Sequence, residues 1–487
     1  MNLVSTLLAH AADRPDATAI VAGNAVVTYA ELQARAAQIA GALAQIGVVT
    51  GDRVAIVSGN DLGFVETYLG VLWAGAVVVP LNPQTPVVAL ATEIEKVGAS
   101  VVVLGSTVHH LGSLPGAHAL DDLPIADPMS AEAERDDSEL AVLLYTSGTA
   151  GAPRAAMLTH GNLASNIGQV QGHSGLRVGT DDVGLAALPF FHVFGLNVSL
   201  GLGLAGGSTT VLLEKLDVQR ALELIREHRV TVLTGVPTMY SAILALSEDE
   251  APSDSFASVR LAVCGASALQ RDNAEQFRER FGLTIFEGYG LTEASPIVTT
   301  TAVVDLPHWG SIGPPLPGVQ VRLVSEDGTD ALVGDPGEIW VNGPNVFAGY
   351  WNDREATDRV LQDGWLHTGD IAVADEHGYL ALVDRVKDLI IVSGFNVYPA
   401  EVEDVIRMHA DVIDVGVFGV PNVLSGEEVV AWVVARLGSE LVFEDIRDQA
   451  LLHLARYKAP RAVKFVESLP RDIAGKLLRR ELRTTTR

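Results

Sequence analysis

Residues 143–163, LLYTSGTAGAPRAAMLTHGNL, bring together in one short stretch the groups that a phosphate requires. Phosphate oxygens are held by backbone N–H groups that can approach closely, by hydroxyl donors and by a cation. Gly148 and Gly151 supply the first, Thr146, Ser147 and Thr149 the second, and Arg154 the third. The stretch reads as a β-like entry, a loop ending in Pro153 and Arg154, and then a helix-forming continuation. No Gly-Lys-Ser/Thr closes it, so it is not a Walker A loop. Taken alone it is also readable as an ordinary polar turn between a strand and a helix.

Three further stretches carry candidate chemistry. In EGYGLTEASP, residues 287–296, Gly288, Tyr289 and Gly290 allow a flat, close approach to a planar ligand. Thr292 and Glu293 then set a hydroxyl beside a carboxylate, a pair suited to a phosphate and its Mg²⁺, because a hard cation bridging phosphate oxygens takes one or two carboxylates. The same Thr-Glu pair also suits a helix start, with Thr as cap and Glu facing the dipole. Within residues 365–403, Asp370 follows Thr368 and Gly369 and can accept two ribose hydroxyls, and Arg385 can reach the same sugar or phosphate. A turn aspartate and a surface ion pair are the plain alternatives. Lys476, after Gly475 and before the last helical stretch, reads by itself as a solvated charge.

The elements that must position these groups follow an α/β beat. The helix-like TYAELQARAAQIAGALAQIG, DRVAIVS, LGFVETYLGVLWAGA, VVVPLN and ASVVVLG alternate periods of about 3.6 and 2, as in a protein with a largely parallel sheet. LAVLLYT, VTVLTGV and VRLAVCG continue the strands. From about residue 309 short extended runs punctuated by Gly and Pro predict a small β subdomain. From about 388 a last block mixes strands with the helices PAEVEDVIRMHA and FEDIRDQALLHLARY, with enough apolar residues for a core of its own. No repeat of fixed period is present.

Residues 183–213 contain no Asp, Glu, Lys or Arg and are long enough to cross a bilayer, but Pro189, His192, Asn197 and the glycines interrupt them. We read them as buried interior beside a ligand pocket and expect no transmembrane segment. Within them, Gly201 to Gly206 fits G-x-G-x-x-G, yet no clear strand precedes it and no ribose-binding acid is suitably placed, so dinucleotide binding is set aside.

Sixty acidic residues against 33 basic ones leave a net charge of -27, which would repel a nucleic-acid backbone. A nucleotide site must therefore be locally positive. Cys264 is the sole cysteine and sits in an apolar run, so it reads as a buried hydrophobe, excludes an intramolecular disulfide and suits a reducing, cytoplasmic compartment. The N-terminal stretch lacks the basic region of a signal peptide.

The four stretches, in this order and over nearly the whole chain, resemble the adenylate-forming superfamily, in particular the AMP-forming acyl-CoA synthetases and fatty-acid–CoA ligases. That resemblance implies an α/β fold with a large N-terminal domain of doubly wound sheets (1–384, its β subdomain at about 309–384), a hinge at 385–387 with Lys387 as pivot, and a small mobile α+β C-terminal domain (388–487). It implies ATP, Mg²⁺ and coenzyme A as cofactors and a small carboxylic acid, fatty or aryl, as substrate. Thr146 to Thr149 and Gly151 resemble the phosphate loop, with Arg154 as its cation. Gly265, Ala266, Ser267 and Glu287 to Gly290 are similar to the adenine-side segments, and Thr292 to an α-phosphate contact. Glu293 resembles the Mg²⁺ ligand, Asp370 and Arg385 the ribose site, and Lys476 the lysine that bridges the substrate carboxylate and α-phosphate. His192 is similar to a ring that orients acyl entry, and Ser393, Gly394 and Phe395 to the thiol channel. The resemblance places Phe191, Val193, Phe194, Val236, Pro237, Thr238, Met239, Tyr289 and Ile297 beside the acyl group. The sequence departs from the family at Arg154-Ala155, where Lys-Gly is usual: Arg differs in reach and hydration, and an alanine Cβ clashes if φ must be positive. Delivery to a carrier protein and a non-catalytic adenylate sensor are the alternative readings; monomer and homodimer both stand open.

Overall fold

The computed structural model describes residues 1–108, 111, 113–146, 153–302, 310–385, 388–392, 395–422, 426–454, 456–472, 475 and 477–485. Its contacts divide the chain into two units, Met1–Gln320 with Val341–Leu366, and Val321–Trp340 with His367–Arg487.

Two sheets build the first unit among the described residues. The six-stranded sheet runs Ala117–Ala119, Val101–Leu104, Arg53–Val57, Val77–Leu81, Leu140–Thr146, Arg154–Thr159. All its pairings are parallel except the last, a hairpin in which Thr146 faces Arg154. Val77–Leu81 and Val101–Leu104 are buried at every position, as strands covered on both faces must be. The eight-stranded sheet runs Ile297–Thr300, Ile285–Gly290, Leu261–Cys264, Val232–Gly235, Val183–Ala186, Thr209–Leu212, Thr18–Ala22, Ala25–Thr28, with antiparallel pairings only at its two ends. Crossover helices cover the faces. Helix Tyr29–Gln45 starts at a capping box in which the Thr28 hydroxyl accepts from Glu31 N–H (3.2 Å) and the Glu31 carboxylate accepts from Thr28 N–H (2.9 Å). It packs on helix Leu62–Trp73 so closely that a Cβ at Gly70 would lie 2.6 Å from Ile39 Cγ2.

The uncharged stretch folds as strand Val183–Ala186, a π-helix over Phe194–Gly201, helix Leu202–Gly206 and strand Thr209–Leu212. Gly201 to Gly206 are thus helical throughout rather than a strand-to-helix turn. No described helix is long and apolar enough to cross a membrane. The expected helical continuation after Arg154 is corrected: Arg154–Thr159 is a strand, and the helix begins only at His160, capped by Thr159, whose hydroxyl accepts from Asn162 N–H at 3.0 Å. Only Arg154 and Met157 of this run are partly exposed, and it takes strand form by pairing antiparallel with Leu140–Thr146.

A small five-stranded sheet runs Gln320–Val324, Pro336–Asn342, Trp365–Ala374, Leu361–Gln362, with Leu380–Arg385 also paired to Trp365–Ala374; the last two pairings are antiparallel. The second unit also contains a sheet of Phe395–Val397, Ile390–Val392, Gly426–Ala435 and Val412–Asn422, with Ala462–Phe465 parallel to Gly426–Ala435. Helices Pro399–Arg407 and Phe443–His453 close a core of Val402, Ile406, Val417, Val429, Val433 and Ile446.

Candidate active site

In the first unit the candidate residues cluster beyond the carboxyl ends of parallel strands, where ligands of open α/β sheets bind. Strand Leu261–Cys264 delivers Gly265, Ala266 and Ser267; Ala266 has φ +71°, a left-handed conformation unusual for alanine. At Gly265 a Cβ would stand 3.0 Å from the Phe194 ring.

The neighbouring strand Ile285–Gly290 delivers the second motif. Glu287 is 9% exposed, and its carboxylate accepts from Leu269 N–H at 3.1 Å. Burial raises its pKa to about 7, against the opposing pull of that N–H. The same burial, with the Glu287 carboxylate nearby, pushes the Cys264 thiol well above its ordinary value, so this cysteine is inert packing. Gly290 leaves no room for a side chain, since a Cβ would lie 2.0 Å from the carbonyl oxygen of Pro296. The chain then makes a 3₁₀ turn over Thr292–Ala294, anchored by Phe347 N–H donating to Glu293 O (2.9 Å) and Asn345 Nδ2 donating to Ala294 O (2.9 Å).

Around that turn stands a cluster of charged and polar groups. Tyr350 donates its hydroxyl proton to Glu293 Oε1 at 2.7 Å. The guanidinium of Arg154 lies 5.8 Å over the Tyr350 ring, and its Nε donates to Asp353 at 2.8 Å. Asp353 also caps helix Arg354–Val360 through Ala356 N–H (2.9 Å), and that N–H followed by Arg154 holds its carboxyl below the usual range. Ala155, 5% exposed, is extended rather than at positive φ, packs beside Trp351 and accepts from Trp351 N–H at 2.8 Å. The Cβ that distinguishes it from glycine is therefore accommodated. Tyr350 and Asp353 escaped the reading of the sequence: Tyr350 lies 57 residues from Glu293 and Asp353 lies 199 from Arg154, and no local spacing signals either pair.

His192 lies half-buried just before the π-helix, its ring 4.9 Å from that of Phe191 and its N–H donating to Pro189 O (3.1 Å). Among the described residues no cluster of three His, Cys, Asp or Glu could hold a metal. On the same side of the sheet, Val232, Thr234, Leu261, Val263, Gly288, Ile297 and Thr300 face Val198 and Leu202 across a cavity closed further by Val170, Leu176 and Val178. Its two hydroxyls are already engaged: Thr234 Oγ1 pairs with Ser199 Oγ (2.7 Å), and Thr300 Oγ1 donates to Glu287 O (3.2 Å). Of the residues expected beside an acyl group, Ile297 lines this cavity, whereas Val236 and Met239 pack with Leu233 and Tyr240 in the core beneath the covering helices. Val236 caps helix Pro237–Leu244 and Met239 lies on its buried face, which turns both into that core, whereas Ile297 sits on strand Ile297–Thr300.

In the second unit Asp370, 6% exposed, lies on strand Trp365–Ala374 opposite Arg385 in the register. Gly369 at φ +72° precedes it, with its N–H donating to Glu338 Oε1 (2.9 Å), and Asp370 N–H donates to the Thr368 hydroxyl (3.1 Å). Phe395 faces Val392 across a strand pair, and Gly475, at φ +80°, donates its N–H to Asp472 O (2.9 Å). Ser147, Gly148, Thr149, Gly151, Lys387, Ser393, Gly394 and Lys476 lie outside the described residues; Thr146 is the last described residue of its strand.

Residues 7–351 match the family of AMP-binding enzymes, and residues 401–476 match the AMP-binding enzyme C-terminal domain. A long-chain-fatty-acid–CoA ligase of Yersinia pestis is 36% identical, over 97% of this chain and 92% of that protein. A feruloyl-CoA synthase of an Amycolatopsis species is 39% identical, over 96% of each. The crystal structure of ATP-bound MatB from Rhodopseudomonas palustris superposes with a TM-score of 0.91 at 34% identity, covering 100% of this chain and 99% of that one.

Proposed function

This chain belongs to the AMP-binding enzymes, and from that premise we propose that it is an AMP-forming acid–thiol ligase. It joins a carboxylic acid to AMP with release of pyrophosphate, then passes the acyl group to coenzyme A. The observation that carries this reading is the convergence of Glu293 and Arg154 on Tyr350: a carboxylate for a nucleotide-borne cation and a guanidinium for phosphate, at one turn beyond the strand ends.

The first step is attack of a carboxylate oxygen on the α-phosphorus of ATP. The nucleophile is already ionised at neutral pH, so no general base is needed. Both reactants are anions, and the protein's task is to align them and offset their repulsion. In this reading Arg154 exchanges Asp353 for phosphate oxygens, Thr292 donates to the α-phosphate, and Lys476 bridges that phosphate and the substrate carboxylate. Glycines 288 and 290 admit the adenine plane beside Glu287, and Asp370 accepts the ribose hydroxyls. Mg²⁺ fits the donors present: a nucleotide cation takes one or two carboxylates besides phosphate oxygens, and Glu293 offers one half-buried carboxylate rather than a cage. When bound, the ion neutralises charge on the phosphates. In the second step the thiol attacks the acyl carbonyl and AMP departs.

The cavity behind Gly288 supports the nature of the acid. It is only about 30 Å³, room for one or two waters and not for a whole chain, so it bears on the acid through the chemistry of its lining: no charge is present, and both of its hydroxyls are committed. A polar group carried into it would lose its water without replacement, whereas a hydrocarbon gains by burial. We assign the substrate tail as alkyl or unsubstituted aryl. With hexanoate, decanoate or benzoate, ATP and coenzyme A, we expect pyrophosphate and an acyl-CoA mass. For malonate and 4-hydroxybenzoate kcat/KM falls by about 100-fold or more, as an unpaired buried polar group demands. A preference for malonate would refute the assignment of the tail. Pyrophosphate without thioester would redirect the reading to a carrier-protein ligase, and no pyrophosphate with any acid to a sensor.

A further inference from the structure

Glu293 ends a flexible side chain that must hold one orientation if it is to meet a nucleotide-borne cation, and the structure shows what orients it. Oε1 accepts the Tyr350 hydroxyl at 2.7 Å, while Oε2 has no hydrogen bond to a described residue. Tyr350 is itself held firmly. Its N–H donates to the Thr357 hydroxyl (2.9 Å), and its backbone bridges to Ala156. Ala348 N–H donates to Met157 O (2.9 Å) and Trp351 N–H to Ala155 O (2.8 Å), so the segment is stitched to strand Arg154–Thr159 on both sides of the tyrosine. Its ring meets Phe347 edge-on at 5.0 Å and 75°, and carries the Arg154 guanidinium over its face.

We propose that Tyr350 is the positioning residue of Glu293: its phenol occupies one carboxylate oxygen and presents the other to the divalent cation that arrives with ATP. A phenol is protonated throughout the physiological range and so remains a donor to the carboxylate. One rigid ring also fixes the separation of the carboxylate at its hydroxyl from the guanidinium at its face, and so couples the cation site to the phosphate-binding strand. Partners that orient a metal-binding side chain commonly govern affinity as strongly as the ligands do. The proposal rests on the reading of Glu293 as the cation ligand.

The test uses Mn²⁺ as the probe, titrated by electron paramagnetic resonance into the full-length enzyme with α,β-methylene-ATP. Tyr350→Phe keeps the ring and its packing and removes only the hydroxyl. We expect Mn²⁺ affinity to fall about tenfold, with nucleotide affinity in EDTA and the melting temperature little changed. Unaltered Mn²⁺ affinity in a folded Tyr350→Phe protein, alongside a loss in Glu293→Gln, would overturn the role of Tyr350 alone. Unaltered affinity in Glu293→Gln would instead remove the reading of Glu293 on which it rests. The double variant supplies a second measure: if Tyr350 acts through Glu293, adding Tyr350→Phe to Glu293→Gln lowers Mn²⁺ affinity no further, and additive losses contradict the proposal.

Discussion

Glu287 is a carboxylate kept at the edge of ionisation by its surroundings. Its side chain is withdrawn from water, and the Leu269 N–H only partly compensates, so its pKa stands at about 7 against 4.5 for an ordinary glutamate. The folded state thus holds the proton more tightly than the unfolded chain. Stability contributed by this group is fully present below pH 4.5, falls as the pH rises through 7, and is level above that. Glu287→Gln keeps an oxygen for Leu269 N–H and cannot ionise. Measured by urea unfolding, its stability relative to wild type should rise between pH 4.5 and 7 by up to about 3 kcal/mol. A difference that does not vary with pH would show that Glu287 is not penalised by burial.

At the scale of elements, the active turn exists because strand Ile285–Gly290 can double back on Ile297–Thr300 with only glycine at its end. A Cβ at Gly290 would lie 2.0 Å from Pro296 O, whereas one at Gly288 meets nothing nearer than Thr299 O at 3.7 Å. Gly290→Ala should therefore cost on the order of 2–3 kcal/mol in unfolding free energy, as overpacking does, and raise KM for ATP. Gly288→Ala should fold with near wild-type stability; equal losses in the two variants would contradict this account of the turn. The alternating helices and strands of the first unit, and the glycine motif itself, were legible because they rest on periodicity and local residue type. Strand Arg154–Thr159 was not, because its small residues acquire strand character only by pairing with Leu140–Thr146. Nor were the contacts of Tyr350 with Glu293 and of Asp353 with Arg154, since folding alone joins such distant residues. The π-helix over Phe194–Gly201, which sets Val198 against the cavity, likewise follows from packing and not from any composition signal.

At the scale of the whole molecule, a chain of net charge -27 binds a polyanionic nucleotide only by local means. In the first unit Arg154, at the start of its strand, and Glu293, in the turn after strand Ile285–Gly290, stand at the Tyr350 ring. Adenylation and thiolysis share the acyl-adenylate, and one isotope follows it directly. The enzyme is given decanoate labelled with ¹⁸O in both carboxylate oxygens, ATP, Mg²⁺ and coenzyme A, and the nucleotide product is weighed by mass spectrometry. Attack of the carboxylate on the α-phosphorus predicts AMP carrying a single ¹⁸O; unlabelled AMP, or ADP in its place, would contradict adenylation.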